Sequence, residues 1–413
     1  FGDRVFFSEN WPNNARHWLP MIDHPYDKAT SEFAVTAPAH YQVVANGLLQ
    51  QETDLPGDMR LTGWKQSVPI ASWLNAVGVA RFAVHHAGKV NGVALQTWVY
   101  YQEQHRGPAG FEATSRKAME FFSSSIGPYS YEKLANIQAA GFSGGTEHAS
   151  AIFYGEKSIL DRPGTNLIAH EIAHQWFGNA VTEKDWDEVW LSEGFATYFT
   201  LLFLEHSEGR DAFVDGLKRS REQVYGMEKK LTDAPIRHRN LSDMRRVLNG
   251  LIYQKGGWTL HMLRKQIGTE TFWRGIREYY AKYRDSSATT EDFRRVIPEE
   301  IGDIEFPPRA LEEYTVGLSS TVERSAIVAR KFKLVVDYAY GAASFVMPSV
   351  LGKLGADVLA VNPYASTPGR LQFDPVLAAE RVASYVIASG AHLGAVFDPD
   401  GDRLTLVDDR GTI

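Results

Sequence analysis

Apolar and polar positions are ordered in three different ways along the chain. From residue 1 to about 104 they alternate, as in "SEFAVTAPAHYQVVANG" and "GVALQTWVYYQ", with Pro and Gly between the runs. A period of two with that punctuation predicts antiparallel strands. From 105 to 301 the spacing turns helical in "GFEATSRKAMEFFSSSIG", "TNLIAHEIAHQWFG", "WLSEGFATYFTLLFLEH" and "LIYQKGGWTLHMLRKQIG", and "TTEDFRRVIPEE" opens with residues suited to a helix start. Residues 302–324 hold Pro and Gly and read as a connector. Beyond them come strand "KLVVDYA", helix "ASFVMPSVLGKLG", strand "DVLAVNP", helix "PVLAAERVASYVIASG" and strand "LGAVF". That alternation predicts an α/β layer with a mostly parallel sheet. The expected fold class is multidomain α+β: a partial N-terminal antiparallel β domain (1–104), a mainly helical domain (105–301), the connector (302–324) and a C-terminal α/β domain (325–413).

Composition narrows the function. A chain of 413 residues is longer than one hydrophobic core usually serves. Its 43 Lys+Arg against 50 Asp+Glu give a net charge of -7, without the basic stripe that nucleic-acid binding needs. No apolar run approaches the roughly 18 residues of a membrane span, and the first residues lack a signal-like pattern. The chain reads as soluble, with no targeting segment and no compartment assigned. It starts at Phe1 in a strand-like region, which reads as a fragment. Cysteine is absent, so a metal would have to be held by His and carboxylates.

The chemistry concentrates in "TNLIAHEIAHQWFG". His170 and His174 are four apart, so on a helix they share a face one turn apart and can present imidazole nitrogens to one point. Glu171 sits beside the first, completing H-E-x-x-H. Glu193, after eighteen intervening residues from His174 in a second helical run, supplies a third ligand. Two His and one Glu leave a coordination position open, as catalytic zinc requires. The plain alternative is a core histidine, which is what a lone His on an apolar helix usually is. Chance would give the five-residue pattern in roughly two such chains in a hundred, and a fixed later glutamate lowers that to about one in a thousand. The metal reading therefore prevails. Zinc lowers the pKa of a water and polarises a carbonyl, while Glu171 takes the proton as general base. The residues alone reach zinc-dependent amide hydrolysis and leave open which bond is cut.

"HEIAHQWFGNAVTEKDWDEVWLSEGFATYF" resembles the alanyl aminopeptidase (aminopeptidase N) family of gluzincin metallopeptidases, a likeness that runs from residue 1 to about 300. It implies a thermolysin-like zinc peptidase domain and peptide substrates with a free N-terminus. "GGTEHAS" falls where that family carries Gly-x-Met-Glu-Asn, with Thr146 and His148 replacing its Met and Asn. Glu147 thereby maps onto the carboxylate that binds the free α-amine, and Gly144 and Gly145 onto backbone that binds the extended substrate. A carboxylate at a fixed distance from zinc acts as a ruler for the first peptide bond. "YQKGG" resembles the segment whose tyrosine, here Tyr253, donates to the oxyanion. "WPNNARHWLPMIDHPYDKATSEF" looks like the part of the N-terminal β domain beside the active site.

The last ninety or so residues resemble a different family, domain II of the phosphohexomutases. In "DPDGDR", Asp398, Asp400 and Asp402 place carboxylates on alternating positions of a tight loop, a donor set for Mg2+. Asp-Gly between apolar strands is equally a hairpin signal. By the resemblance Arg403 contacts a phosphoryl group. The family's phosphoserine loop is absent from this sequence, as are its later domains, so a complete mutase cycle does not fit. The chain reads as a chimera of two partial proteins. Three readings stand: a zinc aminopeptidase, a magnesium-binding sugar-phosphate protein fragment, and a non-catalytic truncated module.

Overall fold

The computed structural model describes residues 4–105, 107–156, 164–230, 235–237, 241, 249–297, 310–363, 373–401 and 403–413. Its chain falls into two compact units, Phe1–Gly302 and Asp303–Ile413.

The first unit opens with two antiparallel sheets. β1 (Phe6–Phe7) and β3 (Gln42–Ala45) flank β6 (Val77–Ala80), while β2 (Ala29–Pro38) and β4 (Leu48–Leu55) flank β5 (Met59–Ile70). β7 (Phe82–Val90) and β8 (Val93–Tyr100) form a hairpin whose turn, Asn91–Gly92, has φ of 51° and 86°. Both values are positive, as the tight Asn-Gly turn between twisted strands demands. The hairpin does not pair with the strands before it. β8 runs parallel to β9 (Lys133–Ala139), which runs parallel to β11 (Ala151–Gly155), and β10 (Gly145–Thr146) forms the antiparallel edge. This five-stranded mixed sheet therefore crosses the boundary expected at residue 104. Alternation marks a strand but carries nothing about its partner.

Period two then explains the two cores of this unit. Leu134, Ile152 and Tyr154 point into the larger one, with the helices, while Ala135, Ile137, Ala151 and Phe153 point into the smaller one, with the N-terminal strands. β9 is buried at every position, which is why "KLANIQA" lacks the alternation of a strand with one wet face.

Helices fill the remainder: α1 (Gly107–Ser125), α2 (Thr165–His174), α3 (Trp190–Glu208), α4 (Arg210–Glu228), α5 (Gly250–Ile267), α6 (Thr269–Tyr283) and α7 (Thr290–Val296). A short parallel pair, β12 (Val181–Glu183) with β13 (Ser286–Ala288), ties the loop after α2 to the end of α6. α7 begins with a capping box: Asp292 N donates to the Thr289 hydroxyl and Thr289 N to the Asp292 carboxylate. α3 is buried on nearly every side, so it lies inside the helical layer. It crosses α5 at Gly194 and Gly256, where a Cβ on either residue would lie 2.9 Å from the other's Cα. Two glycines permit that approach, and it brings the first turns of both helices together.

In the second unit α8 (Ala310–Ser320) falls inside the stretch read as a connector and packs on α10 (Ala343–Lys353), with α9 (Arg324–Arg330) following α8. The sheet has the order β15 (Asp357–Val361), β14 (Lys333–Asp337), β16 (Leu393–Phe397), β17 (Leu404–Val407). Its first three strands are parallel and β17 is antiparallel to β16, the mostly parallel layer expected from sequence. α11 (Pro375–Ser389) is capped by Asp374, which accepts from Val376 N and Leu377 N, and ends at left-handed Gly390. Its Ala378, Ala379, Val382 and Val386 pack on Val335, Val396 and Val407. No described helix of either unit is long and apolar enough to cross a membrane.

Candidate metal centre and peptide cleft

α2 turns His170 and His174 toward each other, with Nε2 atoms 3.1 Å apart. The first turn of α3 brings Glu193 to the same point: its Oε2 lies 3.4 Å from His170 Nε2 and 3.2 Å from His174 Nε2. Bonds of ~2.0–2.2 Å in a tetrahedral arrangement hold donor atoms roughly 3.3–3.6 Å apart, so the triangle fits one zinc-sized ion. The carboxylate supports the same conclusion, since Glu193 Oε2 is buried and makes no hydrogen bond of proper geometry despite two imidazoles in reach. His170, His174 and Glu193 thus form a donor set fit for zinc.

Charge in the cluster points the same way. Burial lowers the basicity of His174, yet Glu147, Glu193 and Glu171 outweigh it and raise the imidazole pKa to about 10. Burial alone would raise Glu193, but the imidazoles of His174 and His170 beside it bring it well below the usual carboxylate range. Glu171 is pushed well above that range by burial and then by Glu147. Glu147 is raised to about 7, chiefly by burial, against the pull of His174. Three carboxylates packed round one imidazole form a site short of positive charge.

The neighbours that fix these groups carry little sequence signal. His174 Nδ1 lies 3.2 Å from the Phe177 carbonyl and 3.1 Å from Ser192 Oγ. Donation to the carbonyl leaves Nε2 free to ligate, the usual arrangement behind a metal-binding imidazole. Glu147 is held by its backbone: its carbonyl accepts from Asn179 Nδ2 at 2.6 Å and from Gln175 Nε2 at 3.0 Å. Gln175 Oε1 in turn accepts from Ser150 N at 2.9 Å. The signal available beforehand was only that Gln175 and Asn179 follow Glu171 at steps of four, beyond the end of the helix at His174.

Glu147, Glu171, His170, His174, Glu193 and Tyr253 line one cavity of about 540 Å³. Tyr253 stands in the first turn of α5, capped by Asn249, and its ring stacks on His170 at 6.1 Å. Burial, then the charge of Glu193, drives its hydroxyl pKa far up, so it stays a proton donor. Gly145 lies on edge strand β10, with Gly144 preceding it at a φ of 81°. Glu9, Trp11 and Phe142 also line the cavity; of these only Trp11 lies in a stretch that the resemblance places beside the active site.

In the second unit the "DPDGDR" stretch closes the hairpin between β16 and β17. Asp398 Oδ1 accepts from Arg403 N at 3.2 Å, and Gly401 N donates to the Asp398 carbonyl at 3.1 Å. Asp398, Asp400 and Arg403 border a cavity of about 500 Å³. Among the described residues Asp398 and Asp400 join no cluster of three potential ligands, and Asp402 lies outside them.

Comparison with known proteins agrees with this division. Residues 2–74 match the peptidase M1 N-terminal domain, residues 111–311 the peptidase family M1 domain, and residues 312–411 the phosphoglucomutase/phosphomannomutase α/β/α domain II. Glutamyl aminopeptidase of Homo sapiens is 29% identical over 319 residues, covering 71% of this chain and 32% of its own length. Aminopeptidase M1-B of rice, Oryza sativa subsp. japonica, is 25% identical over 305 residues, covering 70% and 34%. The chain thus spans about a third of the length of these relatives. The crystal structure of the M1 zinc metallopeptidase from Deinococcus radiodurans superposes with a TM-score of 0.63 at 26% identity, over 72% of this chain and 66% of that one. Residues 2–74 and 111–311 of the chain are thus similar to the N-terminal and peptidase domains of peptidase family M1.

Proposed function

We propose that the first unit is a zinc aminopeptidase that removes the N-terminal residue from peptides. The carrying observation is the convergence of His170 Nε2, His174 Nε2 and Glu193 Oε2 at 3.1–3.4 Å in the cavity that holds Glu147, Glu171 and Tyr253. These three ligands would hold the zinc, which when bound supplies Lewis acidity toward water and the scissile carbonyl.

The remaining steps belong to this chain's own groups. Glu147 pairs with the substrate's α-ammonium, and because Gln175 and Asn179 pin its backbone, that contact fixes how far the chain end reaches into the cleft. The chain at Gly144 and Gly145, where β10 forms the edge of its sheet, takes the extended main chain of the substrate. Glu171, buried at the base of the cavity, accepts the proton of the attacking water and passes it to the leaving amine; its raised pKa suits both halves of that transfer. The Tyr253 hydroxyl donates to the oxygen that gains charge as the carbonyl becomes tetrahedral.

The second unit supports its own reading less well. A magnesium site would use Asp398, Asp400 and Asp402, yet Asp398 Oδ1 already accepts from Arg403 N within the hairpin. We therefore assign the chemistry to the first unit.

Hydrolysis of alanyl and leucyl anilides by zinc-loaded protein tests the proposal, run beside the N-acetylated substrates and Glu171→Gln. Cleavage restricted to free amines and lost in the variant is expected. Equal cleavage of the acetylated substrates, or none from folded, zinc-loaded protein, refutes it.

A further inference from the structure

The charge of the cleft, taken group by group, leaves one carboxylate unmatched. Four line it, Glu9, Glu147, Glu171 and Glu193, and no Lys or Arg is among the described residues that do so. Glu193 faces the imidazoles, Glu171 faces the water to be deprotonated, and Glu147 is reserved for the α-ammonium. Glu9 has no such partner in the reaction.

Its placement is built rather than incidental. The residues on either side are buried and clamped: Val77 N donates to Ser8 Oγ at 2.9 Å, and Asn10 donates to the Asn75 carbonyl at 2.7 Å while accepting from Trp18 Nε1 at 2.7 Å. Glu9 between them is exposed at the cavity rim. Trp11 N donates to its Oε1 at 2.9 Å, so the carboxylate is held on its own backbone. Its charge reaches the bottom of the cleft, where it adds to the upward pressure on Glu147.

We infer that Glu9, with Trp11 and Phe142 beside it, forms a subsite that selects substrates whose N-terminal residue is lysine or arginine. The inference rests on the aminopeptidase reading, because it is the α-ammonium on Glu147 that fixes the first side chain next to that residue. Glu9, Trp11 and Phe142 line the same cavity as Glu147, so a side chain leaving that Cα has them among its walls. A long cationic side chain matches each of these groups. Its methylene stem covers the aromatic faces, its charged end meets the carboxylate, and the ring faces attract the cation further. An acidic side chain would stand among carboxylates with no cation in the described lining, and like charges at that range repel.

Calorimetric titration of the zinc-loaded full chain with lysinamide and norleucinamide isolates the charge, since the two side chains are close in size. Lysinamide should bind about tenfold tighter, the size of one charge-assisted contact. That advantage should fall to within about twofold in Glu9→Gln and reverse in Glu9→Lys. Equal binding of the two amides, an advantage that survives Glu9→Gln, or tighter binding of the α-amide of glutamic acid each overturns the inference. Because the titration requires no turnover, it separates this failure from failure of the peptidase reading, which shows as absence of cleavage on every anilide.

Discussion

Gly256→Ala tests whether the crossing of α3 and α5 sets the geometry of the site. The new Cβ would stand 2.9 Å from Gly194 Cα, where carbon atoms settle at ~3.5–4.0 Å. The neighbour is backbone, so no side chain can swing aside, and the helices must separate by roughly 0.6–1.1 Å at that level. Gly194 adjoins Glu193, and Gly256 lies one turn beyond Tyr253. The displacement therefore falls between the third ligand and the oxyanion donor. A misplacement near 1 Å costs up to about a hundredfold in rate, or about 2.7 kcal/mol of barrier. Overpacking should also cost ~1–3 kcal/mol of stability, partly offset by the better helix propensity of alanine. The assay is kcat/KM on an alanyl anilide with zinc content and Tm measured on the same preparations. The internal control is Gly257→Ala, whose Cβ would meet the Thr197 methyl at 3.3 Å; a side-chain contact can adjust, so rate should hold within about threefold. If Gly256→Ala keeps wild-type kcat/KM and Tm, or if the control is hit equally hard, the close crossing does not position the site.

The other predictions concern single groups. Glu171→Gln should keep zinc and lose about a hundred- to ten-thousandfold in kcat; loss of zinc by metal analysis would reassign Glu171 as a ligand. Tyr253→Phe should lower kcat on the order of a hundredfold with little change in zinc content, and an unimpaired kcat removes the oxyanion role. Treatment with a chelator should abolish turnover and lower Tm, both restored by added zinc; a Tm indifferent to chelation would count against a bound ion. Burial lowers the Lys133 ammonium pKa to about 7, while its Nζ donates to the carbonyls of Ala45 and Gly47. Between that value and the unfolded value near 10.4 the unfolded chain binds the extra proton, so this residue makes stability rise with pH by up to about 1.4 kcal/mol per unit. Urea titrations at several pH values should show that slope reduced in Lys133→Met, and an identical slope in the variant rules the assignment out.

Sequence and structure meet most closely where chemistry is local. His170 and His174 share one helix, so a spacing of four sufficed to place them on one point. Glu193 follows in the next helix, and its run was recognisable as helical. The α/β order of the second unit was legible because each strand and helix carries its own period and punctuation. What stayed hidden depends on contacts between distant residues. Asn179 and Gln175 reach Glu147 across about thirty positions, as the hydrogen bonds to its carbonyl show. Glu9 and Trp11 enter the cleft from the chain just after β1; the resemblance places the stretch opening at Trp11 beside the active site, but nothing in alternation marks Glu9 as a cleft wall. On spacing alone the Asp398–Arg403 stretch divides evenly between hairpin and cation loop, and the resemblance favours the cation; the pairing of β16 with β17 comes from the register rather than from the carboxylates.

The mixed sheet that spans residue 104 also bears on how the chain can come into being. On a ribosome the β7–β8 hairpin emerges before its parallel neighbour β9, which lies some thirty residues further on, and β10 and β11 come later still. Until β9 arrives, the free side of β8 is an unpaired strand bearing Leu95 and Val99, which the finished fold buries, the kind of edge that recruits other chains. The segment before residue 104 is thus no module to be excised and expressed alone. A nascent chain halted there should be sticky and should bind chaperones, whereas one released after β11 can close the sheet within itself.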